Sequence, residues 1–254
     1  MKNIRVIPRL DIKNNTVVKG IHLEGLRVVG DPQVLAKKYY DDGADEILYM
    51  DVVASLYERN NLGPIIEQTA RNVFIPLTVG GGIRTVDDIT QVLRMGADKV
   101  AINTAAVKNP DFISEAANRF GSQCIVGSIE SQYKGSGKWE VYTDTGREAS
   151  GKDAIIWGKE MERLGAGELL ITSITAEGVQ KGFELDLVLA LAPHVKIPVI
   201  ACGGAGLHGH VIDVVVRAHA DAVACASIFH YEKSSISELK ASMAEAGIPV
   251  RRTR

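Results

Sequence analysis

The chain has 254 residues, 46% hydrophobic and 24% charged, an ordinary balance for a soluble globular protein and enough for one large α/β domain or two small ones. A formal net charge of −2 gives no electrostatic case for nucleic acid or an anionic membrane, no apolar run reaches the length of a bilayer span, and Met1-Lys2-Asn3 leads into a strand rather than a signal peptide. Cys124, Cys202 and Cys225 lie in apolar runs, are odd in number and lack metal-ligand spacing, so a cytoplasmic protein with reduced thiols, no metal and no cofactor is expected.

The first element, Arg5–Leu10 continuing to Lys13, alternates as a strand: Arg5, Ile7, Arg9 and Asp11 share one face, and Val6, Leu10 and Ile12 the other. Three charges on one face fit either a solvated edge strand or a barrel strand whose inner face runs from an ionic floor to a carboxylate. Next comes a long connection, Ile12–Asp31, with Lys19, Gly20, Gly25 and Gly30, of a length typical of functional lids. Further strands are expected at Glu46–Asp51, Pro76–Val79, Lys99–Asn103, Cys124–Ile129, Glu168–Ser173, Val199–Ala201 and Ala222–Ala226. Helices are expected at Gln33–Asp42, Ile65–Arg71, Val86–Met95, Phe112–Arg119, Ala154–Leu164, Leu185–Ala192, His210–Ala218 and Ile236–Ala246, and Ser131–Ser150 reads as an inserted hairpin. Eight strands each followed by a helix make the count of a single (β/α)8 barrel, with a doubly wound sheet as competitor.

An internal repeat sharpens this. Gly43-Ala44-Asp45 recurs at Gly165-Ala166-Gly167, Ile75-Pro76 at Ile197-Pro198 and Gly81-Gly82 at Gly203-Gly204, all at one separation, while Gly96-Ala97-Asp98 recurs at His219-Ala220-Asp221 shifted by one. Two half-barrels of four units, about 1–122 and 123–254, are expected, with Asp11 and Glu130 ending equivalent strands as candidate acid–base groups. Gly81, Gly82, Asn103 and Thr104 in one half, and Cys202, Gly203, Gly204, Ala226 and Ser227 in the other, follow strands where backbone N–H groups suit phosphate. One such site on its own is equally well a set of tight turns; two related sites imply a ligand with a phosphate at each end. Arg5, Glu46, Lys99 and Glu168 open strands and would meet at the opposite face, as a stabilising plug or as a gate on the barrel axis.

These residues, with Val18-Lys19-Gly20, Gly25-Leu26-Arg27, Gly30-Asp31-Pro32, Ile75–Ile83, Gly96–Thr104, Phe120–Ile125 and Ala201–Gly206, resemble the HisF family, the cyclase subunit of imidazole glycerol phosphate synthase, over essentially the whole chain. The resemblance implies a HisH-type glutaminase forming a heterodimer at the barrel floor through Asp98 and Lys99. It implies ammonia passing the Arg5/Glu46/Lys99/Glu168 gate, and conversion of the bisphosphate PRFAR to imidazole glycerol phosphate and AICAR. It makes Asp11 and Glu130 the catalytic pair, Lys19 the lysine of a mobile first loop, and Thr172, Glu177 and Gly178 substrate-side positions. Four departures stand out: Arg9 where the family has an uncharged Cys, Glu130 for Asp, Thr175 for an acid, and Cys202 for Ser. Arg9, Glu130 and Cys202 resemble a paralogous branch associated with amidation of surface-polysaccharide (O-antigen) sugars, which works with its own glutaminase and a sugar amidotransferase. An inward Arg9 is expected to stabilise the Asp11 carboxylate, lower its pKa and weaken it as a base, and to add bulk on the ammonia path. Three readings stay open: a histidine-pathway cyclase, a sugar-amidation paralogue, and a non-catalytic scaffold that activates a glutaminase and conducts ammonia to a third protein.

Overall fold

The computed structural model describes residues 3–54 and 62–251, so Met1 and Lys2 of the N-terminal reading lie outside it. Eight parallel strands close into a barrel: β1 (Arg5–Lys13), β4 (Ile47–Asp51), β5 (Leu77–Gly80), β6 (Lys99–Ile102), β7 (Ile125–Gly135), β10 (Glu168–Ser173), β11 (Val199–Cys202) and β12 (Ala222–Cys225). Pairing of β10 with β7 and of β12 with β1 leaves the ring without an edge. The main outer helices are α1 (Pro32–Asp41), α2 (Gly63–Ala70), α3 (Val86–Arg94), α5 (Asp111–Phe120), α6 (Ala154–Arg163), α7 (Leu185–Leu191), α8 (His208–Ala218) and α10 (Ile236–Glu245), with short helices α4 (Thr104–Lys108) and α9 (Ser227–His230) after β6 and β12. The (β/α)8 expectation holds, with element ends within a few residues of those expected except at β1 and β7, which run on into hairpins.

The alternation of β1 sorts its residues as expected. Val6, Leu10 and Ile12 pack outward against the helices, whereas Ile7 joins Leu48, Val126, Leu170, Ile200, Ala222 and Ala224 in the lumen. Local chemistry sets the helix ends: Asp31 accepts from the backbone N–H groups of Gln33 and Val34 at the start of α1, and reciprocal capping boxes Thr85/Asp88 and Ser235/Glu238 open α3 and α10.

The repeat has a physical cause. Asp45, Asp98 and Asp221 each accept a hydrogen bond from a backbone N–H at the start of the preceding barrel strand: Val6 at 2.8 Å, Leu77 at 2.8 Å and Val199 at 2.9 Å. Each follows a left-handed residue that ends a helix, Gly43, Gly96 and His219. In the remaining copy Gly167 replaces the aspartate because a Cβ there would lie 2.2 Å from the Ser122 carbonyl oxygen.

The connection after β1 is a hairpin rather than a loop. β2 (Thr16–Ile21) and β3 (Glu24–Gly30) extend the sheet and turn at His22-Leu23, both with positive φ. Its tip docks on the β10 side, where the His22 N–H donates to the Glu177 carbonyl at 2.8 Å and His22 Nδ1 donates to the Ile174 carbonyl at 3.0 Å. The insertion after β7 pairs with β8 (Lys138–Thr143), which pairs with β9 (Glu148–Asp153). Trp139 Nε1 ties it to Glu184 at 2.5 Å.

Candidate active site

The barrel axis carries chemistry at both ends. At the floor, Arg5 Nη1 lies 2.8 Å from Glu46 and 3.2 Å from Glu168, and Lys99 Nζ lies 2.9 Å from Glu46 and 3.2 Å from Glu168. The four predicted gate residues therefore form a closed ring of alternating charge, with Glu46 also accepting from Thr78 Oγ1 at 2.5 Å. Asp98, next to Lys99, is exposed beside this floor. Above the ring the lumen is apolar up to Arg9.

Arg9 is only 2% exposed and spans the lumen. Its Nε donates to Asp11 at 2.8 Å, and its Nη1 donates to Thr172 Oγ1 at 3.2 Å and Cys202 Sγ at 3.3 Å. Its partner is thus Asp11, with no hydrogen bond to Glu130. His230 sits behind it. Burial pushes the His230 ring down to about 4, so it is neutral; Nε2–H donates to the Arg9 carbonyl at 3.1 Å and Nδ1 accepts from the Tyr39 hydroxyl at 2.6 Å.

The two carboxylates of the mouth are pushed apart in acidity. Burial alone would raise Asp11, but the charges of Arg9 and Lys19 together outweigh it and hold the carboxyl below its ordinary value. Burial raises Glu130 to about 7, only partly offset by the charge of Arg9 and the Gly146 N–H. Asn103 Nδ2 donates to Glu130 at 3.3 Å and to the Tyr142 carbonyl at 3.0 Å. Because folded Glu130 keeps its proton above the pH at which an unfolded Glu loses it, the residue costs stability progressively between about 4.5 and about 7, and by roughly 3 kcal/mol beyond. Glu130→Gln is therefore expected to raise Tm at pH 8 and to leave it nearly unchanged at pH 4 in thermal scans; an equal shift at both would show that this carboxyl is not held neutral.

Two cavities open at this end of the barrel; Glu130 lines the first, and Asp11 lines neither. The first, about 70 Å³, is lined by Arg9, Gly81, Gly82, Asn103, Thr104 and Glu130 among others. The second, about 10 Å³, is lined by Lys19, Glu177, Gly178, Cys202, Gly203, Gly204, Ala226 and Ser227. Their walls are built alike. A Cβ on Gly81 would lie 2.2 Å from the Asp51 carbonyl oxygen, and one on Gly203 would lie 2.8 Å from that of Ser173, the equivalent residue of the repeat. Asn103 (φ −118°, ψ −86°) and Ala226 (φ −122°, ψ −73°) share an unusual backbone conformation just before α4 and α9.

Lys19 is buried and ion-paired with Glu177 across the second cavity, which fastens the β2–β3 hairpin shut; Gly178 is held against the hairpin so closely that a Cβ would lie 2.3 Å from the Gly20 oxygen. Thr172 touches Arg9 rather than lining either cavity. Cys202 faces both Arg9 and the second cavity, and burial raises its thiol pKa, so it is a neutral contact rather than a nucleophile. Asp51, Arg84, Ser128 and Thr145 line the first cavity and were not singled out from sequence. Asp51 ends β4 as Asp11 falls late in β1, so the same strand-end carboxylate signal points to it. No cluster of three or more metal-ligating side chains occurs among the described residues.

With this geometry in place, comparison with known proteins is informative. A family model described as "Histidine biosynthesis protein" matches residues 5–235. The chain is also 61% identical over 206 residues, 81% of its own length and 97% of the relative's, to the imidazole glycerol phosphate synthase subunit HisF of Legionella pneumophila.

Proposed function

Because the chain belongs to the histidine biosynthesis protein family, alongside HisF subunits, we propose that its barrel takes ammonia from a HisH-type glutaminase docked at the floor and uses it at the top on a bisphosphate ligand. Membership makes the chain a lyase-type cyclase subunit of a glutamine amidotransferase complex, and PRFAR, converted to imidazole glycerol phosphate and AICAR, is the substrate this reading assigns. The single observation that supports it most is one barrel axis joining the charged ring at the floor to the Asp11/Glu130 pair at the mouth. Asp11, held ionised, serves as general base, and Glu130, near 7, is placed to give a proton to a leaving group. The glycine turns and strand ends of the two halves take one phosphate each, and Lys19 closes the second site as the hairpin docks. Asp98 and Lys99 face the glutaminase.

The test is turnover of PRFAR by the purified chain with ammonium salts, and with glutamine plus a HisH-type glutaminase. Activity in both assays, with the rate falling as pH rises through about 7, is the expected result. Arg9 across the lumen favours a second reading, in which the chain activates a glutaminase and feeds ammonia to a sugar amidotransferase of a surface-polysaccharide cluster. Stimulated glutamine hydrolysis without PRFAR turnover would select that reading. Normal turnover with ammonium would remove it.

A further inference from the structure

Arg9 is held on two of its three nitrogens. Nε is bonded to Asp11 and Nη1 to Thr172 and Cys202, so the guanidinium plane is fixed from three strands. Among the described residues Nη2 has no hydrogen-bond partner, yet it is absent from the buried side-chain atoms that are both enclosed and unpartnered. It is therefore accessible, and Arg9 is among the residues lining the first cavity, with Ala101, Ser128 and Glu130. Its two N–H donors that no protein group uses present a flat edge to this space, matched to a carbonyl or carboxylate oxygen. Ala101 and Ser128, both small, line the same cavity. The group lies between the two halves' cavities, since Cys202, its Nη1 partner, lines the second one.

We propose that Arg9 is a specificity-determining residue whose Nη2 edge receives a carbonyl or carboxylate oxygen from the segment of the ligand between its two phosphates. The assignment rests on the two-phosphate reading above and adds a third, central point of recognition. It selects bisphosphates with an acceptor in the middle over plain sugar bisphosphates.

The experiment is calorimetric titration of the full chain and its Arg9→Met and Arg9→Lys variants with three probes. PRFAR carries a carboxamide between its phosphates, AICAR has a carboxamide and one phosphate, and imidazole glycerol phosphate has one phosphate and no carbonyl. Arg9→Met is expected to weaken PRFAR and AICAR by about 10- to 100-fold, the range for one charge-assisted hydrogen bond, while changing imidazole glycerol phosphate by less than about threefold. Arg9→Lys keeps a cation for Asp11 but lacks the second edge, so it is expected to show the same selectivity with a smaller loss; it carries the test if Arg9→Met fails to fold. Undiminished PRFAR binding in either variant would overturn the proposal, as would an equal loss for all three probes; PRFAR weakened with AICAR unchanged would place the acceptor on PRFAR's ketone rather than its carboxamide. Wild-type chain that binds none of them would instead overturn the two-phosphate reading on which the proposal stands.

Discussion

Asp11→Asn is expected to reduce PRFAR turnover with ammonium by about 10²- to 10⁴-fold, the usual worth of a positioned general base. The substitution is nearly isosteric, and an amide oxygen still accepts from Arg9 Nε where the carboxylate now does at 2.8 Å. What disappears is the negative charge. Among the described residues Asp11 is the carboxylate bonded to Arg9, whereas Lys19 keeps Glu177, so the loss falls on the basic function of the mouth and leaves the hairpin closed. Stimulation of a glutaminase, which on the proposed reading depends on the floor, is expected to be preserved. Turnover within tenfold of wild type would remove Asp11 from the chemistry, and loss of glutaminase stimulation as well would mean that the whole barrel had been disturbed.

Glu46→Ala is expected to give the largest loss of stability, about 3–5 kcal/mol, in urea titrations. Glu46 is 2% exposed and accepts from Arg5, Lys99 and Thr78, whereas Glu168 on the other side of the ring is 15% exposed. Removing the deeper anion leaves two cations sharing one partly solvated carboxylate. Urea is the right denaturant because, unlike guanidinium, it adds no salt to screen the exposed remainder. Glu46→Gln separates charge from hydrogen bonding: it retains an acceptor, and a loss equal to that of alanine would assign the effect to charge. A loss below about 1 kcal/mol would show that solvent already screens the ring.

Much of this architecture was legible because the residues that specify it act locally. The inner face of β1 could be read from alternation alone, since a barrel strand has no freedom to place Arg5, Ile7, Arg9 and Asp11 anywhere but in the lumen. The charge ring was legible for the same reason, each member opening a strand. The Gly-Ala-Asp repeat was visible as a pattern, but its cause, an aspartate bonded to the first N–H of the neighbouring strand, depends on sheet order and so appears only in three dimensions. The two hairpins were seen as length rather than structure. β2–β3 turns on His22 and Leu23; His tolerates positive φ but Leu does so rarely, so the turn carries no Asn-Gly or Asp-Gly signal. Which carboxylate Arg9 meets could not be read from sequence either, because Asp11 and Glu130 border the same lumen and only the direction Nε takes, onto Asp11, decides between them. Asp51 was missed because it ends an apolar run that reads simply as core.

The docked hairpin imposes an order on loading. With Lys19 clasped to Glu177, the second cavity has about 10 Å³, roughly the room of one water molecule, against about 70 Å³ in the first. On the two-phosphate reading proposed above, one phosphate is expected to seat first in the larger cavity, the other waiting until the clasp exchanges one anion for another. Arrival and commitment would then be separate events, their interval depending on how often a single lysine lets go of a single glutamate.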